Sequence, residues 1–189
     1  MITIRRARPS DAVAIGAVHV AAWRSTYPGI LPDRFLSRLS VPRQAAHYEH
    51  AIRAGTGVHV AVATGADVPL GGQARIIGFA TDGRARGGVV GGRKLGEGEI
   101  ETLYVLDDWR DRGIGRGLMR EVAGHLAQAG CRSAYLWVLR ENQSRWFYQR
   151  LGGQPAATGT TNVGGQDVAQ MAYVWDPIDK LIQATAQAS

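Results

Sequence analysis

The stretch Glu99-Ile-Glu-Thr-Leu-Tyr-Val-Leu-Asp-Asp-Trp-Arg-Asp-Arg-Gly-Ile-Gly-Arg-Gly-Leu-Met119 passes within one short span from alternating strand to glycine turn to amphipathic helix. Ile100, Thr102 and Tyr104 alternate with Glu101, Leu103 and Val105, the period of two of a strand over residues 99–105 that stops at Asp107-Asp108. Beyond Trp109 come Arg110, Arg112, Gly113, Gly115, Arg116 and Gly117; then Leu118, Val122 and Leu126 recur at four-residue steps with Met119 and Ala123 beside them. That spacing predicts one apolar helix face, ended by Gly130 as its C′ residue. Glycines at 113, 115 and 117 leave backbone N–H groups uncovered at the start of the helix, where unpaired donors and the helix dipole favour negative charge. The expected ligand there is a phosphate.

A Walker-type loop is excluded because no Gly-Lys-Ser/Thr follows the run. The dinucleotide fingerprint fits poorly as well. The spacing is G-x-G-x-G, and Tyr135-Leu136 stand about where an acid for the ribose belongs. Arg110-x-x-Gly113-x-Gly115, after a strand ending Leu-Tyr-Val, resembles the Arg/Gln-x-x-Gly-x-Gly/Ala signature of the GNAT superfamily of N-acetyltransferases. In that family the turn cradles the pyrophosphate of coenzyme A. A second segment, Asn142-Gln-Ser-Arg-Trp-Phe-Tyr148-Gln-Arg-Leu151-Gly152-Gly153, resembles the family's Asn…Phe-Tyr-x-x-Leu-Gly-Phe motif. Gly153 departs from it, standing where an aromatic is usual.

The resemblance implies acetyl-CoA as cofactor, held by Leu103, Tyr104 and Val105 against the pantetheine arm, by the turn from Arg110 through Arg112, Gly113, Ile114, Gly115, Arg116 and Gly117, and by Asn142 and Tyr148. It implies an α/β (α+β) fold with a single mixed, mostly antiparallel sheet whose central parallel strand pair splays around the cofactor, helices lying on both faces. Acetyl transfer to an amine needs a base, because the ammonium form has a pKa near 10, and an acid for the departing sulfur. Glu99 and Glu101 are the candidate bases and Tyr148 the candidate acid. Trp23 and Tyr27, four apart in an early helical region that roofs the acceptor site in the family, are candidate substrate-binding residues.

The chain has 189 residues with 45% hydrophobic content, enough for one domain and one core. A single domain is expected over residues 1–175, with a thinly patterned tail over 176–189. No apolar run approaches the ~20 residues of a membrane span, and the start Met-Ile-Thr-Ile-Arg-Arg carries no signal peptide, so a soluble, cytoplasmic protein is expected. Cys131 is the single cysteine and has no ligand-spaced partner, so neither an internal disulfide nor a metal site is expected. The net charge of +6 invites a nucleic-acid partner, yet the basic residues are scattered and their densest group, Arg110, Arg112 and Arg116, borders the glycine turn. A polyanionic cofactor accounts for that group.

In chain order, the pattern predicts a strand at Ile2-Thr-Ile-Arg-Arg and a helix capped at Pro9-Ser10-Asp11 with a stripe of Val13, Ala17, Val20 and Ala21. Pro28-Gly29 breaks that helix, Pro32 opens a short segment, and Pro42 starts another helix running to Ala54. Strands follow over 58–63 and 75–81, joined by a polar loop, and a glycine-rich hairpin connection covers 84–98. The apolar run 134–139 predicts a strand covered on both faces and parallel to 100–105. A helix over 144–151 and a hairpin of 158–163 and 168–175 close the domain. The reading is an N-acetyltransferase acting by direct attack on a small-molecule amine, a protein N-terminus or a lysine; subunit pairing, common in the family, leaves a homodimer open. A non-catalytic acyl-CoA-binding module is the alternative from another class, and nucleic-acid binding ranks third.

Overall fold

Strand β2 (Gly57–Ala63) is buried at every position, so both faces of the sheet around it are apolar. Val58, Val60 and Val62 enter one layer and Ala61 and Ala63 the other, as the period of two demands. The computed structural model describes residues 1–68 and 74–186; part of the expected polar loop, 69–73, lies outside the described residues.

Strand β1 (Ile2–Arg6) pairs antiparallel with β2, β2 with β3 (Arg75–Arg84), and β3 with β6 (Gly98–Val105). Strand β6 neighbours β7 (Ala134–Leu139) in parallel, and β7 is followed by β9 (Gln166–Trp175) and β8 (Gln154–Val163), both antiparallel. The result is a seven-stranded mixed sheet in the order β1-β2-β3-β6-β7-β9-β8. Two short strands, β4 (Val89–Val90) and β5 (Arg93–Lys94), form a separate hairpin within the glycine-rich connection, turning at Gly91 and Gly92.

Helices α1 (Ala12–Thr26) and α3 (Val41–Arg53) cover one face, where Ile15, Val18 and Tyr48 meet the β2 valines, Ile76 and Phe79. Helix α4 (Ile114–Gln128) covers the other with Leu118, Met119, Val122, Ala123 and Leu126, the stripe the four-residue spacing predicts. Of the short helices, α2 (Asp33–Ser37) packs its Leu36 with Val168 of β9, and α5 (Arg145–Arg150) adds Tyr148 to the α4 cluster. The tail forms helix α6 (Asp179–Ala186), whose Leu181 is fully buried in the same cluster as the α4 stripe. Among the described residues no helix is long and apolar enough to cross a membrane.

The expected stripe of α1 needs correction. Val13 is 66% exposed and Ala17 and Ala21 also face solvent, while Ile15, Gly16, Val18, His19 and Ala22 are buried with Val20. The helix is wedged between the sheet and α3, close enough that a Cβ on Gly16 would lie 2.9 Å from the Ala45 nitrogen. Alanines, indifferent to burial, suggested the wrong face. Asp11 does not cap the helix with its side chain; it pairs instead with Arg5 at 2.7 Å and accepts from the Arg8 amide.

A charged group lies inside this sheet. Asp82 is fully buried, its Oδ1 is 2.5 Å from His125 Nδ1, and its Oδ2 faces His59 Nδ1 at 3.6 Å. Gly57 makes room for it: a Cβ there would collide with the carboxylate. Arg6 Nη1 lies 3.3 Å from His125 Nε2, so an imidazole donating from Nδ1 to Asp82 can accept from the arginine. Removing one partner of a buried pair leaves a charge without compensation, so His125→Ala is expected to cost about 3 kcal/mol of unfolding free energy. Urea denaturation checks this; a loss under about 1 kcal/mol would mean that His59 and water compensate Asp82 instead.

Candidate active site

The parallel pair β6 and β7 is joined only at Gly98 opposite Ala134 and Glu99 opposite Tyr135. Beyond those positions the strands separate, and the gap is bordered by Ile100 to Tyr104 on one side and Leu136, Trp137 and Tyr148 on the other. Leu103, Tyr104 and Val105 therefore pair with β3 alone, leaving an inner edge that an extended ligand arm can join as an added strand. On β6 the register steps from Thr102 opposite Thr81 to Ile100 opposite Asp82, so Glu101 is the extra residue of a β-bulge.

At the carboxyl end of β6 the turn has the form the glycines predict. Gly113 is the N-cap of α4 with φ +74°, and no side chain caps the helix. The Gly117 amide donates to the Gly113 carbonyl, and the amides of Ile114 and Gly115 lie ahead of that bond at the start of the helix. These donors fit a pyrophosphate. Gly115 lies under the Phe147 ring, where a Cβ would be 3.3 Å from Cζ. Gly117 faces the sheet, its missing Cβ replaced by the Ile4 Cδ1; its smallness serves packing. Arg110 is held by Asp107 at 2.8 Å and donates to Thr26 Oγ1 at 3.1 Å, and Arg112 lies over the Trp109 ring and donates to the Asp108 carbonyl. Arg116 sits on the first turn of α4.

The two candidate bases have different surroundings. Glu99 accepts a hydrogen bond of 2.9 Å from the Tyr135 hydroxyl. Glu101 stays open to solvent at the mouth of the gap, and desolvation, then the neighbouring Glu99 charge, raises its carboxyl above the ordinary value. Tyr148 is buried, and burial followed by the nearby Tyr27 raises its phenol, which keeps its proton through the neutral range.

Trp23 and Tyr27 lie in an aromatic wall. The Trp23 ring stacks on His19 at 5.1 Å and meets Tyr27 and Tyr104 edge-on at 5.0 and 6.2 Å. Tyr27 is buried and accepts from Asn142 Nδ2 at 3.1 Å. Sequence reasoning missed His19 and Tyr48, joined at 2.7 Å, although His19 precedes Trp23 by one helical turn and so shares its face. Burial lowers His19 to about 4, so this ring is neutral. It also missed a cavity of about 160 Å³ lined by Gly29, Ile30, Leu139, Glu141 and residues 166–169. The aromatic absent at Gly153 has a replacement: a Cβ there would be 2.8 Å from Cζ2 of Trp175, which is fully buried and donates to the Leu151 carbonyl.

The chain is 29% identical to N-acetyltransferase YuaI of Bacillus subtilis over 181 residues, 96% of each chain. In solved structures it resembles an N-acetyltransferase of Staphylococcus aureus at TM-score 0.66 and 21% identity, covering 93% of this chain and 98% of that one. The yncA protein of Salmonella typhimurium, determined with its cofactor acetyl-CoA, also matches at TM-score 0.66 and 21% identity over 93% and 94% of the two chains. A family profile described as the acetyltransferase (GNAT) family matches residues 19–153, a span that takes in the aromatic wall, the splayed strands, the uncapped turn and Tyr148. Because that profile spans well over half of its length, the chain belongs to the GNAT family of acetyltransferases.

Proposed function

We propose that the protein acetylates a primary amine by direct transfer within a ternary complex, Glu101 serving as base and Tyr148 as acid. When bound, acetyl-CoA supplies the activated acyl group. Glu101 carries the reading: a carboxylate on a bulge at the gap, reachable from solvent yet partly desolvated and raised by that and by Glu99, is poised to take a proton from an ammonium group. Glu99, engaged by the Tyr135 hydroxyl, lies beside it. Tyr148 borders the same gap and holds a proton for the leaving sulfur. The amides of Ile114 and Gly115 would hold the pyrophosphate, and the inner edge of β6 would hold the pantetheine arm.

The acceptor enters between the loop after α1 and the start of β9, beside the 160 Å³ cavity. Of its lining side chains Glu141 and Asp167 carry charge and none is basic, which favours a cationic amine, a small molecule or a protein N-terminus or lysine, over an anionic acceptor. A cytoplasmic setting belongs to the same reading. The test is a panel of amines with acetyl-CoA, reporting released thiol. Turnover of at least one amine is expected; coenzyme A binding with no thiol release from any would leave a binding module.

A further inference from the structure

Asn142 has little freedom left for a cofactor. Its side chain is 8% exposed, Oδ1 accepts from the Ser144 amide at 2.9 Å, and Nδ2 donates to the Tyr27 hydroxyl at 3.1 Å. Exchanging the two ends of the amide would point its N–H groups at the Ser144 N–H, so the orientation follows from the partners. Tyr27 then accepts.

The bond joins segments 115 positions apart, and each borders a different wall of the acceptor cavity. Tyr27 is followed by Gly29 and Ile30 of one wall; Asn142 is preceded by Leu139 and Glu141 of another. A second contact between walls, from Gln166 Nε2 to the Ile30 carbonyl, is longer at 3.4 Å. Around Tyr27 the contacts are apolar, with Leu31, Leu36 and Val168, and these have no directional preference that would fix the spacing of the walls. A hydrogen bond does.

We propose that the Asn142–Tyr27 hydrogen bond ties the walls of the acceptor cavity together, making Asn142 a positioning residue for the incoming amine and not a cofactor ligand. This rests on the acetyl-transfer reading above. It assigns the asparagine of the second motif to the acceptor half of the site, opposite to the cofactor contact its resemblance implies. The tie also fixes the start of α5: Oδ1 of the same amide holds Ser144, four residues before Tyr148.

The test uses the full chain with an amine found in the panel. Asn142→Ala is expected to raise KM for the amine about five- to tenfold, the worth of one buried hydrogen bond, while the Kd for coenzyme A by calorimetry changes less than about twofold. Tyr27→Phe, the milder change, should act in the same direction, and the double variant should be no worse than the poorer single one. Asn142→Asp should restore KM, because a carboxylate accepts from Ser144 and the Tyr27 hydroxyl can turn to donate. A tenfold weaker coenzyme A affinity in Asn142→Ala with the amine KM unchanged would make Asn142 a cofactor ligand and overturn the proposal. Additive losses in the double variant would overturn the tie. A wild-type protein that acetylates no amine would instead remove the transferase reading on which the proposal stands.

Discussion

Glu101→Gln is expected to lower kcat by about 100-fold or more while leaving the Kd for coenzyme A unchanged, since a positioned base contributes on the order of 10²–10⁴ to a proton transfer. The glutamine keeps the shape of the bulge and loses the basic oxygen. The acid limb of kcat/KM should report the same group: Glu101 is raised by desolvation and by Glu99, so activity falls as pH drops through a value above the ordinary carboxylate range. Glu99→Gln removes the neighbouring negative charge and should move that limb to lower pH, with the plateau rate largely kept. Steady-state rates of both variants across pH decide between the carboxylates. If Glu99→Gln loses turnover and Glu101→Gln stays within about threefold of wild type, the roles are reversed.

Gly115→Val is expected to raise the Kd for coenzyme A at least about tenfold, or 1.4 kcal/mol. The cause is local and steric. A Cβ at this position already lies 3.3 Å from Phe147 Cζ, and the added methyl groups must turn toward the amides that precede the first helical hydrogen bond. Gly115 is not among the residues with positive φ, and valine is the better helix former of the two, so backbone strain and helix propensity do not predict the loss. Calorimetry on a variant with a wild-type melting curve is the measurement. Normal affinity in a folded Gly115→Val protein would place the pyrophosphate elsewhere.

The proposed donor half of the site was legible in the sequence because it is local. Strand, turn and helix follow one another over residues 99–119, and period-2 alternation, glycine and period-3.6 spacing each leave a separate mark there. The proposed acceptor half was legible only at Trp23 and Tyr27, for it is assembled from residues 19–31, 139–142 and 166–169, and no periodicity reports that Tyr27 and Asn142 meet. Asp82 was equally hidden. Written in sequence it is one more strand-end carboxylate, and only the space left by Gly57 and the approach of His125 from α4 make its burial tolerable. The stripe of α1 failed for another reason: a helix packed on two sides has no single apolar face to find, and alanine gives no vote. The departure at Gly153 became intelligible once Trp175 was seen filling the volume from a distant strand.

The separation of β6 from β7 has a consequence for how the protein exchanges hydrogen with its surroundings. In a closed sheet the central strands carry the slowest amides, because opening them requires global unfolding. Here two adjacent central strands share register at Gly98 and Glu99 only, so the amides of residues 100–105 that point toward β7 have no strand partner on that side. The middle of the sheet should thus contain fast-exchanging amides flanked by slow ones on β3 and β9, and saturating coenzyme A should slow that inner set selectively. The cofactor, on this account, is the missing strand of the protein's own core, and its arrival would be recorded by deuterium uptake before any acetyl group moves.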